Sequence, residues 1–202
     1  AADTLLAAPA EASTDAEKKD THVNEWQELY NELYARSAAD SSTDYNFNIA
    51  GWNSSYSGAP LSAEAMKEWV DHTVAQVLEK KPQRVLEIGC GSGLLLTRIA
   101  PKTSAYWACD VSNVVVDMLK AYTKKTPALA HAKLFTSPGD EIEQRVDFGD
   151  QKFDCVIINS VIQYFPSGEY LAKVLETAAK YVAPGGFIFA GDIRNLRLLE
   201  AF

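Results

Sequence analysis

A glycine-rich turn at residues 85–93 has the residue types and the spacing of a ligand-binding loop. Its sequence is VLEIGCGSG, in which an apolar run leads into Gly89, Gly91 and Gly93 and a helical pattern follows. Glycines at alternating positions let the backbone turn sharply and approach a ligand, while the amides at the start of the helix face it. The segment therefore predicts a binding turn between a strand and a helix, with a tight turn that holds no ligand as the alternative.

Two acidic residues accompany this turn. Asp110 ends a second apolar run about 20 residues after Gly89, a distance at which a carboxylate can hydrogen-bond a ribose diol. Its alternative role is the N-cap of the helix that follows. Glu87 precedes Gly89 by two residues, where its carboxylate can organise the turn, receive a cation or form a salt bridge at the end of the strand. Both acids are therefore candidate ligands of one small molecule.

The elements that must position these residues alternate regularly from Pro82 onward. The sequence predicts strands at Arg84–Ile88, Ala105–Asp110, Ala132–Thr136, Cys155–Asn159 and Phe187–Asp192. It predicts helices around Leu94–Ala100, Val114–Thr123 and Glu169–Val182, the last capped by Ser167. Continuous apolar strands separated by single helices favour parallel strands joined by right-handed crossovers. The expected fold is α/β, a Rossmann-like and mostly parallel sheet with helices on both faces.

Composition and pattern divide the chain into three segments. Residues 1–22 lack aromatic side chains and are rich in alanine and polar residues, so we expect a flexible linker there. Residues 23–81 should form an N-terminal helical segment and flap, with aromatic residues at helical spacing over 26–34 and a later helix capped by Ser62. Residues 82–202 should form the Rossmann-like core. Both ends of the chain look like cuts through something longer, and we expect the core to be truncated after strand five.

The charge balance and the cysteine count exclude several classes of function. The 202 residues include 19 Lys and Arg against 27 Asp and Glu, a formal net charge of −8, which disfavours binding to nucleic acid or to anionic membranes. No apolar run approaches the roughly 20 residues that a membrane span needs. The 3 cysteines and 3 histidines are widely spaced, which argues against a disulfide framework and against a metal site. We expect a reduced, cytoplasmic protein.

The glycine spacing and the preceding acid also bear on the ligand. The turn resembles the [D/E]-x-G-x-G-x-G pattern of proteins that bind S-adenosylmethionine (SAM), whereas an NAD site uses GxGxxG to hold a pyrophosphate that SAM lacks. The resemblance implies SAM as the cofactor and S-adenosylhomocysteine (SAH) as its product. The residues that would hold the cofactor at the turn and at the end of strand two are Glu87, Gly89, Gly91, Gly93 and Asp110.

Further cofactor positions follow from the same resemblance. Asp140, in the segment SPGDE, stands where such enzymes often place an acid against the adenine amine, with a loop or capping role as its alternative. Cys90, Val111 and Tyr56 are expected to line the same site. We interpret Cys90 and Cys109 as small apolar packing residues and not as nucleophiles, because no histidine lies near either in the sequence.

Longer motifs resemble one family in particular. The segments FNIAGWNSSYSG, FDCVIINSVIQYFPS and GGFIFAGDIRNLRLLEAF, together with the glycine turn, are similar to the methyltransferase domain embedded in nonribosomal peptide synthetases. The resemblance extends over about residues 26–202. It implies methylation of the α-amine of an aminoacyl thioester that a carrier protein holds, with neighbouring synthetase domains as partners.

The family resemblance also implies roles for polar residues near the ends of strands four and five. The residues near the transferring methyl group would be Asn159, Ser160, Gln163 and Tyr164, of which the first two also belong to the expected cofactor site. Asp192 and Arg194 would lie beside the substrate, with an internal ion pair as the alternative. The residues of an N-terminal flap would be Gly51, Trp52, Asn53, Ser55 and Tyr56. Packing remains the alternative for Trp52, Tyr56, Tyr164 and Phe165.

Three other functions remain open at this point. A free-standing methyltransferase that acts on oxygen or carbon of a small molecule would use the same glycine turn. A structural module without catalytic activity is disfavoured by the intact glycines and Asp110. An NAD-dependent oxidoreductase is disfavoured because the chain lacks the expected glycine spacing and an obvious catalytic lysine or histidine pair.

Overall fold

A five-stranded parallel sheet forms the centre of the protein. The computed structural model describes residues 15–39 and 44–201. The strands are β1 Arg84–Ile88, β2 Ala105–Asp110, β3 Ala132–Thr136, β4 Phe153–Asn159 and β5 Val182–Gly191. Their spatial order is β3-β2-β1-β4-β5, and each neighbouring pair is parallel. The order reverses between β1 and β4, so the connections that follow these two strands lead to opposite sides. A reversal of this kind opens a ligand-binding crevice at the carboxyl ends of the strands in α/β sheets.

Helices cover both faces of this sheet. They are α1 Asp15–Ala39, α2 Ala63–Glu79, α3 Leu96–Ile99, α4 Asn113–Lys125, α5 Ile142–Arg145 and α6 Gly168–Tyr181. One core cluster joins α2, α3 and α4 to Val85 and Ile157, and the other joins α5 and α6 to Leu86 and Ile88. Because successive strand residues point to opposite faces, a strand that is covered on both sides consists of apolar residues almost throughout.

The Rossmann-like parallel sheet expected from the sequence is confirmed, with corrections at the ends of several elements. The first three strands coincide with their predicted bounds. Strand β5 begins at Val182, five residues before its predicted start at Phe187, and pairs there with Phe153 across an irregularity in the β4–β5 register. The predicted helix at Leu94–Ala100 is a single α-helical turn that continues as a 3₁₀ turn over Ala100–Lys102.

Helix α1 begins earlier than the sequence indicated. It extends from Asp15, so residues 15–22 of the expected linker are helical, and residues 1–14 lie outside the described part of the chain. Alanine, glutamate and lysine in this stretch have high helix propensity, which allows the helix to extend beyond its aromatic residues. Within the described residues, no helix combines the length and the apolar character that crossing a membrane requires.

A short polar contact fixes α1 to the start of α4. The hydroxyl of Ser112, the N-cap of α4, accepts from the amide of Val115 at 3.3 Å. The same hydroxyl donates to Oδ1 of Asn31 on α1 at 2.6 Å, and Nδ2 of Asn31 donates to Oδ1 of Asn113 at 3.1 Å. Ser112 therefore both caps α4 and holds α1 in place.

We expect Ser112→Ala to destabilise the protein more than Ser62→Ala does. Both substitutions remove a hydroxyl that caps a helix, which typically costs about 0.5–2 kcal/mol. Ser112→Ala also removes the bond to Asn31, worth a further ~1 kcal/mol. Urea unfolding of the two variants measures the difference; equal losses of unfolding free energy would contradict a role for Ser112 in holding α1.

Candidate functional site

A cavity of 620 Å³ lies at the carboxyl ends of the strands. Its floor is the turn after β1 and the residues that end β2, β4 and β5, and α1, α2 and the segment over residues 50–56 form the remaining walls. The volume is within the range of small-molecule and cofactor sites. The cavity therefore lies where the reversal of strand order predicts a ligand.

The carboxylate of Asp110 holds the floor of the cavity in place. Its Oδ2 accepts from the amide of Gly91 at 2.8 Å, and its Oδ1 accepts from the amide of Ser112 at 2.9 Å. Burial raises the pKa of Asp110, and the backbone hydrogen bonds oppose that rise. Because Ser112 caps α4, Asp110 does not take the alternative N-cap role.

The glycines of the turn have different neighbours. Gly89 and Gly91 line the cavity, and a Cβ added to Gly91 would lie 3.1 Å from the hydroxyl of Tyr34. Gly93 is not among the residues that line the cavity: a Cβ there would lie 2.7 Å from Leu119 of α4, and its φ is +84°. Gly93 thus allows the turn to pack against α4, and its predicted contact with the cofactor has no counterpart in the lining of the cavity.

Glu87 is buried at the base of the cavity. Its side chain extends from β1, and its Oε2 accepts a hydrogen bond from the hydroxyl of Tyr106 at 2.7 Å. Burial raises the pKa of Glu87 to about 8, although the bond from Tyr106 lowers it. The hydrogen-bond partner of Glu87 is thus a tyrosine, and the salt bridge considered from the sequence is not what the structure describes.

The cysteines near the turn are buried in the interior. Cys90 lines the cavity and Cys109 lies beneath it on β2, where its carbonyl accepts from the amides of Gly89 and Cys90 at 2.9 Å each. Burial raises the pKa of both thiols well above the ordinary value. A thiol is nucleophilic only as the thiolate, so these surroundings favour packing roles for both residues.

Polar residues at the ends of β4 and β5 form a connected group on one wall of the cavity. Nδ2 of Asn159 donates to the hydroxyl of Ser160 at 3.2 Å, and that hydroxyl donates to Oδ2 of Asp192 at 2.6 Å. Ser160 and Asp192 both have a φ of +55°, a conformation that non-glycine residues rarely adopt and that recurs at functional sites. Position 191, just before Asp192, requires glycine, because a Cβ on Gly191 would overlap Oδ1 of Asn159.

The other predicted residues of this region also line the cavity. Gln163, Tyr164, Arg194 and Val111 are all at its surface. Tyr164 also packs against α1, with its ring 4.7 Å from that of Trp26. The packing role and the lining role considered for Tyr164 therefore coexist.

The sequence predicts that Asp140 contacts adenine, but Asp140 is not among the residues that line the cavity. Its side chain is buried, and Oδ2 lies 3.5 Å from Nζ of Lys173 on α6. The residues that line the cavity at this place are the preceding Ser137, Pro138 and Gly139, of which Gly139 donates its amide to the hydroxyl of Tyr170 at 2.9 Å. Oδ2 of Asp140 thus faces a cation on α6, and Asp140 is not among the residues that line the cavity.

The flap segment contributes aromatic side chains to the cavity. Trp52 packs on Trp69 of α2 with ring centroids 4.6 Å apart, so it has a structural role as well as lining the cavity. Tyr56 lines the cavity although 72% of its surface is exposed to solvent. A buried hydrogen bond of 2.6 Å from the Ser92 hydroxyl to the carbonyl of Asn48 ties this segment to the glycine turn.

No functional role for the aromatic residues of α1 was predicted from the sequence. Trp26, Tyr30 and Tyr34 line the cavity and stack on one another, with centroids 5.8 Å apart in each successive pair. Burial raises the pKa of Tyr30 and of Tyr34 above the ordinary tyrosine value, so both hydroxyls are neutral. Their helical spacing was visible, but only the fold shows that this face of α1 covers the cavity.

The donor set of the cavity fits a cofactor with a cationic amino-acid tail, a ribose and an aromatic base. Glu87 and Asp110 are buried acids without a basic partner among the contacts described above, and Asp192 adds a third carboxylate. Among the residues that line the cavity, these three carboxyl groups outnumber the one basic side chain, Arg194. The lining therefore favours a ligand that carries a cationic group.

Solved methyltransferases share this architecture. The N-methyltransferase NodS from Bradyrhizobium japonicum WM9 superposes with a TM-score of 0.58 at 18% identity, over 69% of this chain and 74% of NodS. The magnesium protoporphyrin IX methyltransferase (ChlM) from Synechocystis PCC 6803, solved with bound SAM, superposes with a TM-score of 0.56 at 16% identity, over 86% of this chain and 74% of ChlM. The protein thus has the fold of the SAM-dependent methyltransferases.

Sequence comparison identifies the family. A family model described as a methyltransferase domain matches residues 86–188, and the chain belongs to that family as a SAM-dependent methyltransferase domain. The chain is 44% identical over 181 residues to chondramide synthase of Chondromyces crocatus, covering 90% of this chain and 4% of that protein. It is 31% identical over 196 residues to the beauvericin nonribosomal cyclodepsipeptide synthetase of Beauveria bassiana, covering 96% of this chain and 6% of that synthetase.

These relatives are multidomain synthetases, of which the chain spans only a small part. The predicted resemblance to nonribosomal peptide synthetases is confirmed by these comparisons.

We expect Gly93→Ala to destabilise the protein by about 2–4 kcal/mol, because it combines an unfavourable φ with an overlap against Leu119. Gly185→Ala is the matched control, since Gly185 has a φ of +78° and open space around its Cα. Thermal unfolding compares the two variants. Equal destabilisation would show that the contact with α4 contributes nothing at Gly93.

Proposed function

We propose that the chain binds SAM in the 620 Å³ cavity and transfers its methyl group to the α-amine of an aminoacyl thioester held on a carrier protein. The observation that supports this most directly is the pair of buried acids, Glu87 and Asp110, on either side of a glycine turn. The core that begins at residue 82 would bind the cofactor, and α1, α2 and the segment over residues 50–56 would cover it. Neighbouring synthetase domains would deliver the carrier.

The residues of the cavity suggest how the cofactor would be held. Asp110 would accept from the ribose hydroxyls through the lone pairs that its amide partners leave available. Glu87 would face the methionyl ammonium, and Val111 with Pro138 would border the adenine. In this assignment, each carboxyl group of the cavity floor faces a hydrogen-bond donor of the cofactor: the ribose hydroxyls for Asp110 and the ammonium for Glu87.

When bound, SAM supplies an electrophilic methyl group, and the protein has to align an amine with it. Alignment accounts for much of the rate in a displacement of this kind. The wall formed by Asn159, Ser160 and Asp192 presents an amide, a hydroxyl and a carboxylate to the same space. The Asp192 carboxylate is suited to take the proton that the amine must lose before it can react, while Asn159 orients it.

A resemblance in sequence supports the choice of acceptor. The relatives that match nearly the whole chain are peptide synthetases, in which amino acids are the building blocks. The acidic wall is also better suited to a basic amine than to a phenol or an enol. The proposal is tested against two alternatives. One is a free-standing methyltransferase that acts on oxygen or carbon, and the other is a module without catalytic activity.

We expect wild-type protein to bind SAM in calorimetric titration, and Asp110→Ala to weaken binding by roughly 10- to 100-fold, because charged hydrogen bonds to the ribose are lost. Asp140→Asn should change the affinity less than about twofold, because Asp140 lies outside the cavity. Binding of NAD in place of SAM would overturn the proposed cofactor. An unchanged affinity in Asp110→Ala would remove Asp110 from the site.

We also expect transfer of one methyl group to an aminoacyl thioester on a carrier protein, detected as a mass gain on the loaded carrier. Asp192→Asn should lower the rate by roughly 10²- to 10⁴-fold and leave SAM affinity nearly unchanged, since its role is in proton transfer. Free amino acids and phenols serve as competing acceptors. Preferential methylation of a phenol would favour the free-standing alternative, and no transfer at all despite SAM binding would favour the inactive module.

A further inference from the structure

Among the described residues, Glu87 has no basic partner that would compensate its charge. Only 3% of its surface is exposed, and the titratable groups that interact with it from the neighbouring elements are acidic or neutral. These groups are Cys90 in the turn, Tyr106, Cys109 and Asp110 on β2, and Cys155 on β4. A carboxylate without a cationic partner is costly to bury, and protonation removes that cost. In the free protein Glu87 is therefore a neutral acid at pH 7, in agreement with its pKa of about 8.

Tyr106 fixes the orientation of this acid. Its side chain is fully buried in the core on the α4 side of the sheet, and its hydroxyl donates to Oε2 of Glu87 at 2.7 Å. Glu87 has no second hydrogen-bond donor among the described residues. The bond occupies Oε2, which leaves Oε1 for the acidic proton in the free protein and for a ligand cation afterwards.

We propose that Tyr106 is the positioning residue of Glu87, and that binding of the methionyl ammonium of SAM expels a proton from Glu87. This inference rests on the proposed cofactor and concerns its linkage to pH. The O–H bond of the neutral carboxyl group breaks, and its proton passes to the solvent. The carboxylate that remains accepts from the Tyr106 hydroxyl and from the ammonium, whose own proton count does not change. Binding thus exchanges a neutral acid for a buried ion pair that is hydrogen-bonded on both oxygens.

Calorimetric titration at pH 6.5 in phosphate and in imidazole buffer tests this exchange, because the two buffers differ in their heat of protonation. At this pH the ammonium of the ligand is already charged, since an α-amino group has a pKa of about 8. We expect SAM and SAH each to release close to one proton, roughly the full occupancy of an acid whose pKa lies well above 6.5. The nucleoside 5′-methylthioadenosine lacks the amino-acid tail and should bind with no proton release.

Two substitutions test whether the released proton comes from Glu87 and whether Tyr106 positions Glu87. Glu87→Gln should bind SAM with no release of a proton. Tyr106→Phe keeps the buried ring, and we expect it to weaken SAM binding roughly tenfold while the affinity for 5′-methylthioadenosine stays within about twofold. Tyr122→Phe is the matched control, since Tyr122 stacks on Tyr45 away from the cavity and should leave both affinities unchanged.

The outcomes separate this inference from the proposed function. SAM binding by wild-type protein without a buffer-dependent enthalpy would overturn the proton release alone. Equal weakening of SAM and of 5′-methylthioadenosine by Tyr106→Phe would show that Tyr106 only supports the core. Failure of wild-type protein to bind SAM at all would overturn the proposed cofactor and this inference together.

Discussion

The hydrogen bonds of the Asp110 carboxylate are the constraint on which the site depends. One oxygen holds the amide of Gly91 in the turn after β1, and the other holds the amide of Ser112 at the start of α4. Ser112 in turn contacts Asn31 of α1. The buried side chain of Asp110 at the end of β2 thereby connects the glycine turn, helix α4 and helix α1, which covers the cavity. The geometry of all three would change together if this carboxylate moved.

Burying acids at this position has a cost that a cationic ligand can offset. The pKa of Glu87 is about 8 in the folded protein, above its ordinary value of 4.5. The folded state therefore holds this proton more tightly than the unfolded chain does, and the free energy of unfolding falls as the pH rises from about 4.5 to 8. A cationic ligand at Glu87 would reverse this loss, because it stabilises the charged form. Such a site lowers the free energy of unfolding of the ligand-free protein, and the same buried acid favours the binding of a cationic ligand.

The fold was predictable from the sequence where local pattern determines it. Strands β1, β2 and β3 are mostly apolar segments bounded by turns, and their bounds agree with the prediction. The start of β5 was not predictable, because Pro184, Gly185 and Gly186 disfavour a strand and only pairing with β4 extends it there. Long-range pairing overrides local propensity at such places.

The site was predictable to the extent that topology alone determines it. Residues that end parallel strands meet at one edge, so Asp110, Asn159 and Asp192 could be placed together before the structure was known. Asp140 could not be placed, because the conformation of the loop after β3 and the position of Lys173 on α6 are not visible in the local sequence pattern. Tyr106 gave no signal, since a tyrosine within a buried strand has the same pattern as any core residue.

Helix α1 shows why a cavity of this kind must recruit residues from outside the sheet. The carboxyl ends of parallel strands form an open edge, and a methyl transfer that depends on alignment and on buried charges requires that water be excluded from it. The aromatic row of α1 closes this edge with rings that bury a large area yet have few rotatable bonds. Tyr164 contacts the rings of Trp26 and Tyr30 and also lines the cavity, as Asn159 and Ser160 do. The covering helix is therefore in direct contact with the wall that would face the acceptor.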